Sequence, residues 1–114
     1  MIFITGPLYA GKRAYIRAAL GLSEAELQSR AVWDVQELDP DTDLEALADQ
    51  LAAREIVIAT EIGGGVVPMD AHARAQREAA GRLSCLLAER ADTVVRVCCG
   101  LPQLLKGEWP CASC

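Results

Sequence analysis

Short apolar runs alternate with amphipathic segments along the chain, and the two patterns predict different elements. Runs rich in β-branched residues predict four strands, at residues 2–4, 31–35, 56–59 and 94–98. The run 56–59 is continuous rather than alternating, which is typical of a strand covered on both faces, so we expect it at the centre of a parallel sheet. Gly100 and Pro102 end the last strand, and residues 103–106 are expected to form a short turn.

Apolar residues recur at helical spacing between these strands. They predict helices over residues 14–20, 24–29, 44–52 and 71–90. Gly21 ends the first helix, and Ser23 stands three residues before Glu26, the spacing of a capping box for the second. The alternation of strands and helices predicts an α/β fold, in which an open, mainly parallel sheet is flanked by helices in three layers.

Composition narrows the functional class. The 114 residues suit one domain, and a net charge of -5 without a cluster of Lys and Arg argues against a nucleic-acid partner. No apolar run is long enough to span a membrane, and the first residues lack the features of a secretory signal. The five cysteines are an odd number and Cys98 adjoins Cys99, so we expect a reducing cytoplasm rather than a disulfide framework. We also expect the chain to form a homo-oligomer, in which a second copy covers exposed apolar surface.

A candidate phosphate-binding loop follows the first strand. Gly6 is separated by four residues from Gly11-Lys12, between an apolar strand and a helix, which is the context of a P-loop. Backbone N–H groups and the positive end of the helix would hold the phosphates of GTP or ATP, and Lys12 would add a charge. The predicted nucleotide-binding residues are Gly6, Pro7, Leu8, Tyr9, Ala10, Gly11, Lys12 and Arg13. We therefore expect one nucleotide-binding domain at residues 1–106, followed by a C-terminal tail at 107–114.

Arg13 occupies the position at which a P-loop normally has a Ser or Thr that holds Mg²⁺. A guanidinium has no lone pair to offer, so it repels Mg²⁺ and attracts phosphate. Either Mg²⁺ is held by a carboxylate and waters alone, or the site binds nucleotide with little catalytic power. Glu61, which follows the strand 56–59, is the candidate carboxylate for Mg²⁺ or for the proton of an attacking hydroxyl. A solvated loop glutamate is the alternative.

Several further segments make the sequence recognisable. The C-terminal half of the adenosylcobinamide kinase / adenosylcobinamide-phosphate guanylyltransferase family is similar to four segments, which are residues 60–68, Ala73-Arg74, Gly81-Arg82-Leu83 and residues 100–106. The resemblance implies two activities in cobalamin assembly, which are phosphorylation of the aminopropanol hydroxyl of adenosylcobinamide and transfer of GMP onto that phosphate. By position, it implies Lys12 and Glu61 as catalytic residues and Arg74 and Arg82 as substrate-binding residues.

The chain also departs from that family. The family's middle section carries a histidine that accepts GMP, whereas residues 21–54 are a shortened counterpart without histidine. The single histidine, His72, is better explained as a surface residue at a helix start, and Ser84 stands where the family has an asparagine. These departures argue against the guanylyltransferase step. A nucleotide-binding regulatory or partner subunit without catalysis is the alternative function.

Four cysteines near the end of the chain form a candidate zinc site. Cys111 and Cys114 have the spacing of a metal knuckle, and Cys98 and Cys99 would complete a set of four thiolates. Adjacent residues of a strand point to opposite faces, however, and chain ends fray. We therefore assign no metal to these cysteines.

Overall fold

The computed structural model describes residues 1–61 and 70–111. Within these ranges the strands are β1 (Ile2–Gly6), β2 (Ala31–Val32), β3 (Ile56–Thr60), β4 (Thr93–Cys98) and β5 (Leu101–Lys106). The helices are α1 (Lys12–Leu20), α2 (Glu24–Arg30), α3 (Leu44–Ala52) and α4 (Ala71–Arg90). All four predicted helices and the four predicted strands are present, so the α/β prediction is confirmed.

The five strands form one sheet in the order β2-β3-β1-β4-β5. The first four are parallel, and β5 is antiparallel to β4. β1 is the central strand, so the prediction that residues 56–59 lie at the centre was wrong by one position. β3 is nevertheless an interior strand, and Ile56, Val57, Ile58 and Ala59 are all buried, as their continuous apolar run indicated.

Helices cover both faces of the sheet. Consecutive strand residues point to opposite faces, so apolar strand residues pack against helices on both sides. Phe3 and Val57 pack with Leu51 of α3 and Leu83 of α4. Their neighbours on the strands, among them Ile4 and Ile58, pack on the other face with Ile16 of α1 and Leu27 of α2. The predicted three-layer arrangement of helix, sheet and helix is therefore confirmed.

Side-chain caps fix where the helices begin. Ser23 accepts a hydrogen bond from the Glu26 N–H over 3.1 Å, and the Glu26 carboxylate accepts one from the Ser23 N–H over 3.1 Å, which completes the predicted capping box. Asp43 and Asp70 act as N-caps for α3 and α4. Among the described residues, no helix combines the length and the apolar character needed to cross a membrane.

The turn predicted at residues 103–106 was wrong, because these residues belong to strand β5. Cys99 and Gly100 both have positive φ, 54° and 74°, as the two central residues of a tight hairpin turn require. Pro102 lacks an N–H, but it pairs with Val97 on an edge strand, where proline is tolerated. β2 is also shorter than predicted, since Asp34 adopts a φ of 53° that is incompatible with a strand.

Candidate functional site

The backbone of the predicted phosphate loop is held tightly against the end of β4. Gly6 has a φ of 151°, and a Cβ at this position would lie 2.1 Å from the Val97 carbonyl oxygen. Gly11 has a φ of 91° and is the N-cap of α1. The Gly100 N–H donates a hydrogen bond to the Ala10 carbonyl over 2.8 Å. Both glycines of the motif therefore occupy positions where a side chain would be strained.

Lys12 is the first residue of α1 and one of the two buried polar or charged side chains among the described residues. Its Nζ donates hydrogen bonds to the Gly6 carbonyl over 3.1 Å and to the Pro7 carbonyl over 2.7 Å. Burial lowers the pKa of Lys12, while the nearby carboxylates of Glu61 and Asp34 raise it in part. The structure thus places one cation inside the loop, with two carboxylates near it.

The Arg13 side chain lies over an aromatic ring beside the loop. Its guanidinium carbon is 4.3 Å from the centroid of the Trp33 ring, a distance suited to a cation–π contact. Its Nη1 also lies 3.3 Å from the Glu24 carboxylate on α2. These two contacts anchor the guanidinium on α2 and on the segment that follows it, although Arg13 still lines the cavity at the loop.

Asp34 is a site residue that the sequence interpretation did not identify. It follows β2 and lines a cavity of about 340 Å³ together with the loop residues Lys12 and Arg13. Gln36, which is buried, donates to the Asp34 carboxylate over 3.4 Å and accepts from the Thr60 N–H over 2.9 Å. The signal was available in principle, because an acidic residue just after a parallel strand lies at the same sheet edge as the loop.

Glu61 lies at the sheet edge where it was predicted. Its backbone N–H donates to the Gly6 carbonyl over 2.9 Å, directly at the start of the loop. Its carboxylate accepts two hydrogen bonds from Arg96 of β4, over 2.6 Å from Nε and 2.9 Å from Nη2. Arg96 thereby holds the pKa of Glu61 below its usual range. Sequence interpretation missed Arg96. This residue reaches the sheet edge near Glu61 only because β4 pairs with β1 in the register that sets Arg96 opposite Thr5.

Comparison with known proteins identifies the family to which most of the chain belongs. The model of the family described as cobinamide kinase / cobinamide phosphate guanyltransferase matches residues 19–105, well over half of the chain. The chain belongs to this family. The resemblance inferred from the sequence is therefore confirmed.

A curated relative supports the same assignment over part of its length. The bifunctional adenosylcobalamin biosynthesis protein CobP of Pseudomonas aeruginosa is 40% identical over 77 residues, which is 66% of this chain. The match covers 44% of that protein, so the chain spans less than half of the length of this curated relative. The cobinamide kinase family match begins at residue 19, after the loop, and the loop assignment therefore depends on its own spacing and geometry.

The remaining candidate residues of this cobinamide kinase family member lie apart from the loop. Arg74 and His72 are exposed in the first turn of α4. Arg82 is also exposed and lines a groove of about 700 Å³ between α4 and residues 40–45, where Asp41 and Glu78 are among its neighbours. Among the described residues that line the cavity at the loop, neither Arg74 nor Arg82 is present, so their substrate-binding role stays a prediction.

Part of the family motif falls outside the described residues. Of the segment 60–68, only Thr60 and Glu61 are described. Cys114 also lies outside, so the full candidate zinc set cannot be assembled from the described chain. Within residues 1–61 and 70–111, no three His, Cys, Asp or Glu side chains form a group able to hold a metal ion.

Proposed function

We propose that this chain is a kinase that transfers the terminal phosphoryl group of GTP or ATP to the aminopropanol hydroxyl of adenosylcobinamide. The observation that carries the proposal is the position of Lys12, which is buried within the loop at residues 6–13 and lies near Glu61 and Asp34. Membership of the cobinamide kinase family supports the reaction class.

The loop supplies the groups that bind a triphosphate. The first N–H groups of α1 have no partners within the helix, and a helix N-terminus favours anions. The Lys12 ammonium donates hydrogen bonds to the Gly6 and Pro7 carbonyls. With nucleotide bound, it would turn to the outer phosphates and stabilise the charge that develops during transfer.

The carboxylates near the loop fit Mg²⁺, which prefers oxygen ligands. Glu61 has both oxygens engaged by Arg96, whereas Asp34 accepts one long hydrogen bond from Gln36. We therefore assign Asp34 as the residue that would hold the ion, in place of the hydroxyl that Arg13 replaces. When bound, Mg²⁺ would neutralise charge on the outer phosphates.

Glu61 is left to act on the acceptor alcohol. In the proposed step, the hydroxyl oxygen forms a bond to the terminal phosphorus, and the bond between that phosphorus and the bridging oxygen of the nucleotide breaks. The nucleoside diphosphate leaves with the electron pair, and the hydroxyl proton passes to the Glu61 carboxylate and then to solvent. Because Arg96 makes Glu61 a weak base, its main contribution would be to accept a hydrogen bond that orients the hydroxyl.

The proposal covers the kinase step alone. Transfer of GMP through a phosphoramidate needs a histidine that can reach the nucleotide. The single histidine of the chain, His72, is exposed in the first turn of α4 and does not line the cavity at the loop. We therefore expect no covalent guanylylated intermediate.

The proposal is tested by incubating the purified chain with Mg²⁺, adenosylcobinamide and GTP or ATP labelled on the terminal phosphate. Phosphorylated adenosylcobinamide is the expected product, and it should disappear in Lys12→Ala. A parallel incubation with GTP labelled on the α-phosphate should leave no label on the protein. Tight nucleotide binding without product would refute the kinase and support the regulatory or partner subunit.

We extend the proposal to the domain boundaries, the location and the partners of the protein. We place the nucleotide-binding domain at residues 1–106, with 107–114 as a tail, and the protein in the cytoplasm, where nucleoside triphosphates are abundant. GTP or ATP and the cobinamide are its proposed partners, and neither nucleic acid nor a membrane is among them. Size-exclusion chromatography with light scattering would establish whether the chain forms the expected homo-oligomer.

A further inference from the structure

Gln36 has a buried side chain that contacts two residues lining the cavity at the phosphate loop. Its exposed fraction is 7%, and among the described residues the other buried polar or charged side chain is Lys12. Gln36 belongs to a turn after β2, in which the Glu37 N–H donates to the Asp34 carbonyl over 3.0 Å. A buried amide destabilises a protein unless its hydrogen bonds are made, so the partners of Gln36 indicate its role.

The backbone of β3 imposes the orientation of the Gln36 amide. The Thr60 N–H donates to the Gln36 Oε1 over 2.9 Å. Because a backbone N–H can only donate, the amide oxygen must face Thr60, and the NH₂ group must point the other way. On that side, Nε2 donates to the Asp34 Oδ1 over 3.4 Å. The strand therefore directs the donor of Gln36 at this carboxylate.

The Asp34 carboxylate needs such a partner because its own backbone gives it little support. Asp34 is exposed on the turn, and its φ of 53° lies in a region that a non-glycine residue seldom adopts. An exposed carboxylate changes rotamer freely, and the loss of this freedom on binding lowers the affinity for a ligand. The hydrogen bond from Gln36 restricts the motion in advance and leaves Oδ2 for a cation.

Gln36 also fastens the carboxylate to the sheet. Thr60 pairs with Gly6 in the parallel register of β3 and β1. The next residue, Glu61, donates its N–H to the Gly6 carbonyl over 2.9 Å. Both contacts belong to the sheet edge at which the phosphate loop begins. The position of the Asp34 carboxylate is thereby tied to the start of the loop rather than to the turn alone.

The direction of this carboxylate matters because cations surround it. Asp34 lines the cavity together with Lys12 and Arg13, both of which repel a divalent ion. Arg96 engages both carboxylate oxygens of Glu61. A divalent cation near the outer phosphates of a nucleotide therefore depends on how well Asp34 is oriented.

We propose that Gln36 is a positioning residue, which holds the Asp34 carboxylate toward the phosphate loop and thereby sets the affinity for the divalent cation that accompanies the nucleotide. The inference rests on the proposed function, since that function assigns the ion to Asp34. Hydrogen-bond partners of metal ligands typically contribute roughly 10- to 100-fold in metal affinity. A glutamine that served only to satisfy the Thr60 N–H would stabilise the fold without affecting the metal.

The inference is tested with Gln36→Met, which keeps a similar length and removes both hydrogen-bonding ends. Isothermal titration calorimetry measures the affinity for a non-hydrolysable GTP analogue with Mg²⁺ and with EDTA. We expect the ratio of the two affinities to fall about tenfold in the variant, because the ion loses an oriented ligand. The affinity in EDTA should stay within about twofold, as for an independent site. A purely structural role would lower both affinities and leave their ratio unchanged.

Gln76→Met is the matched control. The Gln76 amide also joins two elements, since its Nε2 donates to the Leu38 carbonyl over 3.2 Å, but it does not contact Asp34. This variant should leave the affinity ratio unchanged. Circular dichroism before each titration establishes that the variants are folded.

A double-mutant cycle shows whether Gln36 acts through Asp34. Asp34→Asn alone should lower the ratio of affinities, because an amide is a poorer ligand for Mg²⁺ than a carboxylate. Adding Gln36→Met to Asp34→Asn should then change the ratio by less than about twofold. A full effect of Gln36→Met in the Asp34→Asn background would overturn the inference.

The native Gln36 side chain supplies a readout that does not depend on the folding of Gln36→Met. ¹⁵N NMR follows its NH₂ resonances while Mg²⁺ is added to the chain with the GTP analogue bound. We expect saturable shifts in the native chain and none in Asp34→Asn. Resonances that do not respond to Mg²⁺ in the native chain would overturn the inference.

The outcomes separate this inference from the proposed function, because none of these measurements uses adenosylcobinamide. An unchanged ratio in folded Gln36→Met would overturn the inference even if the chain phosphorylates adenosylcobinamide. A lowered ratio that depends on Asp34 would support it. If in that case no phosphorylated product forms, the role of Gln36 stands while the proposed kinase is refuted.

Discussion

The Arg96 side chain donates two hydrogen bonds to the Glu61 carboxylate, over 2.6 Å from Nε and 2.9 Å from Nη2. Glu61 follows β3 and Arg96 lies in β4, the two strands that flank β1, and both side chains are a little more than one third exposed. The pair fixes the direction of a carboxylate that also lies near Lys12. It therefore controls both the orientation and the charge of the group that we assign to the acceptor hydroxyl.

Arg96→Gln should raise the pKa of Glu61 toward its usual range, because the variant loses the cation that favours the ionised form. A folded-state pKa that lies below the unfolded value stabilises the protein at higher pH, and this contribution is lost as the pH falls through the folded pKa. The native chain should thus exceed the variant in melting temperature at neutral pH, and the difference should vanish in acid. Carbon-13 NMR of the Glu61 carboxyl measures the titration directly.

Arg30→Gln is the control for this experiment, since it removes another two-bond pair, with Glu55, at the opposite end of β3. The Glu61 titration should not move in this variant. A titration midpoint of Glu61 that is the same in Arg96→Gln as in the native chain would contradict the assigned role of Arg96.

Lys12→Ala should weaken the binding of GTP and ATP roughly 10- to 150-fold, since hydrogen bonds to a charged group contribute about 1.5–3 kcal/mol. Isothermal titration calorimetry measures the affinity. Lys106→Ala is the matched control, because the Lys106 ammonium also donates to two backbone carbonyls, of Ala88 and Glu89, but far from the loop. Equal affinities in the two variants would refute the loop as the nucleotide site.

Gly6→Ala and Gly81→Ala should change stability in opposite directions. At Gly6, a Cβ would lie 2.1 Å from the Val97 carbonyl oxygen and the φ is positive, so we expect a loss on the order of 3 kcal/mol or more. At Gly81 the Cβ meets nothing within 4 Å, and replacing a helical glycine should stabilise the fold by up to about 1 kcal/mol. Urea denaturation measures both. A stable Gly6→Ala protein would contradict the described loop conformation.

Arg13→Ser should make nucleotide binding more dependent on Mg²⁺. The substitution removes the guanidinium from the Trp33 ring and offers a hydroxyl at the position from which P-loops bind the ion. We expect the ratio of affinities with Mg²⁺ and with EDTA to rise about tenfold, which corresponds to about 1.4 kcal/mol. Arg13→Ala, which removes the charge without supplying an oxygen, is the control. The same ratio in both variants would mean that the hydroxyl is not a ligand.

Most of the fold could be predicted from the sequence because local patterns decide it. The continuous apolar run 56–59 predicted a strand covered on both faces, and the spacing of Ser23 and Glu26 predicted the start of α2, both of which the structure confirms. The strand β5 was missed because its evidence is not periodic. The strand depends on a positive φ at Cys99, a conformation that a non-glycine residue seldom adopts and that the sequence does not indicate.

Only part of the candidate site could be predicted from the sequence, because the rest depends on contacts between distant segments. Lys12 and Glu61 follow from a motif and from a position after a strand. Asp34 could have been found in the same way, because it follows β2, but Arg96 enters the site through the strand register, which is a property of the assembled sheet. The anchoring of Arg13 on Trp33 likewise joins the start of α1 to a segment about twenty residues later, and no local pattern encodes that contact.

The hydrogen bond from the Gly100 N–H to the Ala10 carbonyl has a consequence for how the protein is made. The loop leaves the ribosome before a hairpin turn that lies some ninety residues further along the chain, yet this turn completes the loop's backbone conformation. A nascent chain that has not yet reached this turn should therefore be unable to retain a nucleotide, and the ligand would select chains in which β4 and β5 have already joined the sheet.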